Sequence, residues 1–246
     1  MTGSVSLTLS NHSGLTNASL TILQTIDATT LQNANYDLAG TGFFGTYIFV
    51  PVVDGTYIVE RPSETLAKGT VNGDILLSVG NSNEGNIFVN ANETLNITDY
   101  VAQLFPDLTS VQVQEAAYIY QSYGTPLEQA ITVMGDSIFG IFAIPPAYHG
   151  NDVAYYFNNP APAYNNTQFI DAFSQSFLSL AMYYNVNAKY DPTNITPYWD
   201  EYYIGETEML FNRTEDYVPV VMTVTTDPSL LQRCAFWQSV TELTAQ

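Results

Sequence analysis

Basic residues, cysteine and histidine are scarce in this sequence. Its 246 residues include 5 Lys or Arg against 24 Asp or Glu, which gives a formal net charge of -19. A surface this negative repels phosphate backbones and anionic lipid headgroups, so nucleic acid and membrane surfaces are poor candidates for partners. Cys234 is the single cysteine, so an internal disulfide cannot form. With His12 and His149 as its two histidines, the chain is a poor candidate for a zinc protein, and no cofactor is indicated.

The sequence also shows little sign of a membrane span or of a signal peptide. The densest apolar run, residues 138–146, contains Gly and Pro and is far shorter than the roughly 20 residues that span a bilayer, so no membrane span is predicted. Residues 1–10 lack the basic start and apolar run of a signal peptide, so a secretion signal would lie upstream. The 46% hydrophobic content nevertheless predicts a buried core rather than a disordered acidic tail.

Glycosylation sequons, together with a polarity supplied by Asn, Thr, Ser and Tyr, favour a secreted, extracellular protein. Seven Asn-x-Ser/Thr patterns occur, at Asn11, Asn17, Asn92, Asn96, Asn165, Asn194 and Asn212. An Asn-rich chain contains several such patterns by chance, so which of them carry glycans stays open at this point.

Hydrophobic spacing predicts both helices and strands. Helices are expected over residues 20–34, 110–120, 126–133 and 167–184, and from Asp227-Pro228 onward. Strands are expected over residues 46–53, 75–79, 153–157, 209–211 and 218–224. The unbroken apolar run 75–79 is typical of a parallel strand that is covered on both faces. The alternation predicts an α/β fold in one domain over residues 1–246, with residues 1–18 poorly ordered.

Several local motifs occur in order along the chain. The segment LLSVGNSNEGNIF, residues 76–88, contains the pattern Asn-x-x-Glu-Gly-x-x-Phe. Around it lie PVVDG at 51–55, RPS at 61–63, GTVNG at 69–73, PPAYHGNDV at 145–153 and RCAFW at 233–237. From about Leu23 to the C-terminus, the chain resembles the fungal branch of the type B carboxylesterases, relatives of cholinesterases and fungal lipases.

This resemblance implies a fold and two site residues. Glu84 would be the acid and His149 the histidine of a Ser-Glu-His triad, in the chain order usual for α/β-hydrolases. The serine should precede Glu84 in a Gly-x-Ser-x-Gly turn, yet the sequence contains no such pattern. We therefore expect the C-terminal portion of an α/β-hydrolase fold, lacking the N-terminal strands, the nucleophile turn and the oxyanion hole. Such a chain is expected to be inactive alone, to serve an ester substrate only in the complete enzyme, and to associate through an exposed sheet edge.

The resemblance also implies a missing segment. Members of the family usually have a longer stretch between the positions of Asp136 and Pro145, and that stretch contains the partner of the cysteine matched by Cys234. Its absence would leave Cys234 unpaired. It would also shorten the strand that directs His149.

Other interpretations compete with this one. Gly135-Asp136-Ser137-Ile138 superficially matches a Gly-Asp-Ser block of another esterase class, but its place in the chain is unusual and no Asp-x-x-His follows. The acids Asp200 and Glu201 could suggest a glycosidase, although adjacent residues on one element point apart. A third alternative is a non-catalytic, carboxylesterase-like binding or surface glycoprotein.

Overall fold

The computed structural model describes residues 21, 23–139, 148–157 and 161–244. The chain divides into two compact units, residues 1–51 and residues 52–246. The expectation of poor order over residues 1–18 falls outside the described residues. In the first unit, residues 23–25 are helical, and helix α1 spans Ala28–Ala39 after Asp27, whose carboxylate accepts a hydrogen bond from the amide of Thr30. The predicted helix over 20–34 is thus interrupted near residue 27 and continues further than expected.

The second unit is mainly helical. Its helices are α2 Pro62–Ala67, α3 Ile97–Leu104, α4 Ser110–Tyr120, α5 Pro126–Met134, α6 Val153–Tyr156, α7 Thr167–Tyr183 and α8 Pro228–Ser239. Short 3-10 turns span Glu84–Phe88 and Thr241–Leu243, and a π-helical turn, Gly135–Phe139, continues α5. The helix predictions over 110–120, 126–133, 167–184 and after Asp227 are confirmed.

Local sequence explains where these helices begin. Thr109 and Thr125 each accept from the third residue of the following helix, whose side chain bonds back to the Thr amide, so both helices start with a capping box. Asp227 caps α8, and Pro228 occupies its first turn, where a missing amide proton is harmless. Helix α7 ends because Tyr184 adopts a left-handed conformation with φ of 55°.

Two cores hold the second unit together. Helices α3, α4 and α5 bury an aliphatic set that includes Val101, Ala116, Ala130 and Val133. The other core is aromatic and lies between α6, α7 and the strand pair, with Phe169, Phe173 and Phe211 meeting edge to face. Such edge-to-face contacts add roughly 0.5–1.5 kcal/mol per pair to the burial of the rings.

The only strands in the described parts of the chain form one hairpin. β1 Thr207–Arg213 pairs antiparallel with β2 Pro219–Thr225, with Leu210 opposite Met222. The predictions over 209–211 and 218–224 are confirmed. A single parallel bridge, between Asn83 and Tyr148, is the only other pairing among the described residues.

Three other strand predictions are wrong. Residues 46–53 and 75–79 form no strand, and residues 153–157 contain helix α6 instead. A short apolar run fits a strand or a helix equally well, and here backbone hydrogen bonds from Val153 to Gly150 and from Tyr155 to Asp152 wind the chain. Residues 75–79 have no pairing strand among the described residues, and Leu76 is 80% exposed rather than covered.

No helix within the described ranges is long and apolar enough to cross a bilayer.

Candidate active site

Glu84 is a buried carboxylate held by its own loop. It begins the 3-10 turn Glu84–Phe88, and its side chain is only 7% exposed. Its Oε1 accepts two hydrogen bonds from Asn81, one from the backbone amide at 2.6 Å and one from Nδ2 at 3.0 Å. Two donors on one oxygen compensate for the loss of water and fix the direction of the carboxylate.

His149 meets the other carboxylate oxygen. Its Nδ1 lies 2.7 Å from Glu84 Oε2, although the two residues are 65 positions apart in the chain. The parallel bridge between Asn83 and Tyr148 joins their two loops immediately beside this contact. Asp152, in the loop that follows His149, accepts a hydrogen bond from Asn81 Nδ2 at 3.0 Å. Three contacts thus connect the acid loop to the histidine loop.

Two phenylalanines pack around the imidazole ring. Phe88, at the end of the 3-10 turn that starts with Glu84, lies edge-on with ring centroids 5.1 Å apart. Phe139, at the end of the π-helical turn, lies at 4.8 Å. These rings limit rotation of His149, whose side chain is 43% exposed. The ring is therefore oriented and still open to solvent.

The contact determines which ring nitrogen can act as a base. An ionised carboxylate only accepts hydrogen bonds, so Glu84 requires the proton of neutral His149 to be on Nδ1. Nε2 then carries the lone pair. A half-exposed imidazole that is oriented by a buried carboxylate, and whose Nε2 bonds to none of the described residues, has the arrangement of a general base.

Gly85 is required by a close backbone contact next to Glu84. A Cβ at this position would lie 2.1 Å from the carbonyl oxygen of Ile131 and 2.9 Å from the amide nitrogen of Gly135. Both atoms belong to backbone at the end of α5, which cannot rotate away as a side chain can. The glycine therefore lets the acid loop pack directly on α5.

We expect Gly85→Ala to destabilise the chain by about 1–3 kcal/mol or more, because either the loop or α5 must shift. The matched control is Gly73→Ala, since a Cβ on Gly73 meets nothing within 4 Å. Urea unfolding followed by circular dichroism compares the two variants with the unsubstituted chain. Equal midpoints for Gly85→Ala and Gly73→Ala would contradict the packing described here.

The Gly-Asp-Ser segment does not join this site. Asp136 lies in the π-helical turn, its side chain is 0% exposed, and Arg233 Nε donates to its Oδ2. The same oxygen accepts from Tyr120, whose hydroxyl in turn accepts from Trp237 Nε1. Burial raises the pKa of Asp136 although Arg233 and Tyr120 both act to lower it. This network joins α4, α8 and the π-helical turn, which is a structural role.

The remaining candidates lie apart from Glu84 and His149. Asp200 and Glu201 follow Trp199 in a surface loop. His12, Asn11 and Asn17 fall outside the described residues. Asn92, Asn96 and Asn165 are exposed, whereas Asn212 is half-buried in β1. The Asn194 Nδ2 atom, the one a glycan would occupy, donates to the carbonyl of Asp171 and to Gln175 Oε1, so Asn194 is a poor acceptor.

Sequence reasoning missed three contributors to the site. Asn81 is the first residue of the Asn-x-x-Glu-Gly-x-x-Phe pattern that contains Glu84, and that pattern is its one local signal. Asp152 and Phe139 carry no local signal, because their proximity to Asn81 and His149 arises only from folding.

Comparisons with known proteins identify the fold. No protein-family profile matches the chain, and no curated protein sequence matches it. Its structure is similar to the crystal structure of Aspergillus niger EstA, with a TM-score of 0.70 and 19% identity over 93% of this chain and 53% of that one. It is also similar to a PNB esterase, with a TM-score of 0.61 and 19% identity over 90% of this chain and 51% of that one.

The chain thus spans about half the length of these two esterases. At this identity the likeness shows the fold alone, namely part of the α/β-hydrolase fold of esterases. The expectation of a partial fold of this class is confirmed in that coarse form. The catalytic roles of Glu84 and His149 stay predictions.

Proposed function

We propose that this chain is the acid- and histidine-bearing part of a serine carboxylic-ester hydrolase. The observation that carries the proposal is the 2.7 Å contact between His149 Nδ1 and the buried carboxylate of Glu84. Similarity in fold to two esterases supports it. In this proposal Glu84 orients His149, and His149 is the general base and acid for a serine that another segment supplies.

The proposed chemistry follows from the orientation of the ring. The serine oxygen bonds to the ester carbonyl carbon while its proton passes to His149 Nε2. The imidazolium then gives that proton to the departing alcohol as the carbon–oxygen bond of the ester breaks. Water repeats the sequence on the acyl-serine and releases the acid. Glu84 stabilises the imidazolium in both halves and keeps its own charge throughout.

The nucleophile and the oxyanion hole must come from elsewhere in this proposal. The sequence contains no Gly-x-Ser-x-Gly, the turn that exposes the serine in α/β-hydrolases. The two similar esterases are about twice as long as the matched region, which leaves room for a serine-bearing half. We expect the chain to hydrolyse no ester by itself.

Residues 75–79 are the surface through which we propose that the serine-bearing half binds. They form neither helix nor strand, their backbone forms no hydrogen bond with another described residue, and they lead directly into the Asn81 and Glu84 loop. Ile75 and Leu76 are mostly exposed although their sequence is typical of a buried strand. A strand added there would cover this apolar edge and bring its own residues beside the site.

We also propose that the complete protein is secreted. Three sequon asparagines, Asn92, Asn96 and Asn165, are exposed. In Asn96 the side-chain oxygen caps α3 by accepting from Thr98 and Asp99, and glycosylation of its nitrogen would leave those bonds in place.

Co-expression with a serine-bearing half tests the proposed function. The partner is the half of an esterase of this fold that contains Gly-x-Ser-x-Gly and that this chain does not match. We expect the purified pair to hydrolyse p-nitrophenyl acetate and to be labelled on the partner's serine by a fluorophosphonate, whereas this chain alone does neither. A stable pair without activity would contradict the proposal and favour the non-catalytic glycoprotein, and labelling of this chain alone would contradict it as well.

A further inference from the structure

The side-chain amide of Asn81 lies between two carboxylates from two different loops. Its Nδ2 donates one hydrogen bond to Glu84 Oε1 and one to Asp152 Oδ1, both at 3.0 Å. Asn81 is 1% exposed, so neither bond competes with bulk water. The two hydrogens of this nitrogen are therefore both used, one on each loop.

The surroundings permit only one orientation of this amide. Rotating the amide by half a turn would place its carbonyl oxygen next to Glu84 Oε1 and Asp152 Oδ1. All three atoms are hydrogen-bond acceptors, so they would repel one another. In the observed orientation Oδ1 has no hydrogen-bond partner among the described residues. Leaving one buried carbonyl unpaired costs about 1–3 kcal/mol, less than placing it against the buried carboxylate of Glu84 and the half-buried one of Asp152.

The amide also decides which oxygen of Glu84 faces the histidine. Oε1 is occupied by the backbone and side-chain donors of Asn81, so Oε2 remains for His149 Nδ1. Without the Nδ2 donor, Oε1 keeps only the backbone bond from Asn81, so the carboxylate is held less firmly about its last torsion. The direction of the histidine ring thus depends on a residue that does not touch the ring.

We infer that Asn81 is a positioning residue, which keeps His149 in the Nδ1–H tautomer through Glu84 and holds the histidine loop in place through Asp152. An effect of Asn81 on catalysis rests on the proposed function. The tautomer itself is a property of this chain alone and can be measured without a serine.

Nuclear magnetic resonance of the chain labelled with ¹⁵N-histidine tests the inference. The two histidines give four ring nitrogens, and His12→Gln assigns them. Long-range ¹H–¹⁵N correlation, at a pH where both rings are neutral, reports which nitrogen of His149 carries the proton. We expect the Nδ1–H form in the unsubstituted chain.

Asn81→Asp keeps the shape of the side chain but replaces both donors with an acceptor. We expect it to turn Glu84 away and to shift neutral His149 to the Nε2–H form that free histidine favours. Asn92→Asp makes the same substitution at an exposed asparagine outside this loop and is expected to leave the tautomer unchanged. Asn81→Ala, which removes the donors without adding charge, is expected to lose the Nδ1–H form as the dominant tautomer.

The outcomes separate this inference from the proposed function. An Nδ1–H form that persists in Asn81→Ala, or a tautomer shift equally large in Asn92→Asp, would overturn the role of Asn81 and leave the proposed function standing. An Nε2–H form in the unsubstituted chain would instead contradict the orientation on which the proposed function depends. In the co-expressed pair, Asn81→Ala should lower kcat while KM stays unchanged, because Asn81 is 1% exposed and acts through Glu84.

Discussion

His149→Gln is expected to reduce ester hydrolysis by the co-expressed pair by about 10⁴- to 10⁶-fold, since removing one member of a triad removes the function of the whole unit. Glutamine has no group that can take up the serine proton at neutral pH. It can still accept and donate hydrogen bonds, so the contact with Glu84 is partly preserved and the fold should persist. Initial rates with p-nitrophenyl acetate, measured over a wide range of enzyme concentration, give the ratio.

His12→Gln is the matched control, because it makes the same substitution at the other histidine. It is expected to leave the rate unchanged. A pair that keeps more than about one hundredth of its activity in His149→Gln would show that another group is the base, given the losses typical of triads.

Glu84→Gln extends the same prediction. Asn81 presents two donors to one oxygen of Glu84, so a glutamine places its own oxygen there and turns its NH₂ toward His149. The ring must then accept on Nδ1 and carry its proton on Nε2, which can no longer take the proton of the serine. A loss of about 10⁴-fold is expected, as for a triad acid replaced by its amide. Glu215→Gln, at an exposed turn, supplies the control.

Arg233→Met is expected to destabilise the chain by about 3–5 kcal/mol, because it leaves the carboxylate of Asp136 buried without its cation. The Asp136 side chain is 0% exposed and that of Arg233 is 6% exposed, so water cannot replace the lost partner. The guanidinium also stacks over Tyr123, with its carbon 4.5 Å from the ring centroid. Urea unfolding monitored by tryptophan fluorescence is suitable, since Trp237 is hydrogen bonded within the same network.

The control for Arg233→Met is Lys68→Met, which removes the cation from the ion pair with Glu60. That lysine is 57% exposed, so solvent screens the pair and a much smaller change is expected. The double variant Asp136→Asn with Arg233→Met should recover part of the lost stability, because it removes the uncompensated charge. Equal effects of Arg233→Met and Lys68→Met would contradict the structural role assigned to the buried network.

Helix starts were predictable because their causes are local. Thr125 and Glu128 form a capping box, Pro126 occupies the first helical position, and no distant residue is needed for either feature. The two strands of the hairpin were predicted from local pattern as well, whereas their pairing is seen only in the structure. The strand prediction over residues 75–79 was wrong because a strand depends on a partner that is distant in the chain. Their apolar pattern predicts burial, but burial needs a neighbouring strand, and the pattern does not say where that strand is.

The sequence by itself determined the residue types available for chemistry. A charge of -19, two histidines and one cysteine argued against nucleic-acid or membrane partners, a zinc site and an internal disulfide. The motif around Glu84, followed later in the chain by His149, indicated an acid and a base. Only the tertiary structure decided that these two side chains meet, that Asn81 selects the oxygen that faces the ring, and that Asp136 pairs with Arg233 rather than joining the site. Most of those contacts join residues that are far apart in the chain. The spacing of residues along the sequence does not say which distant side chains come together when the loops pack.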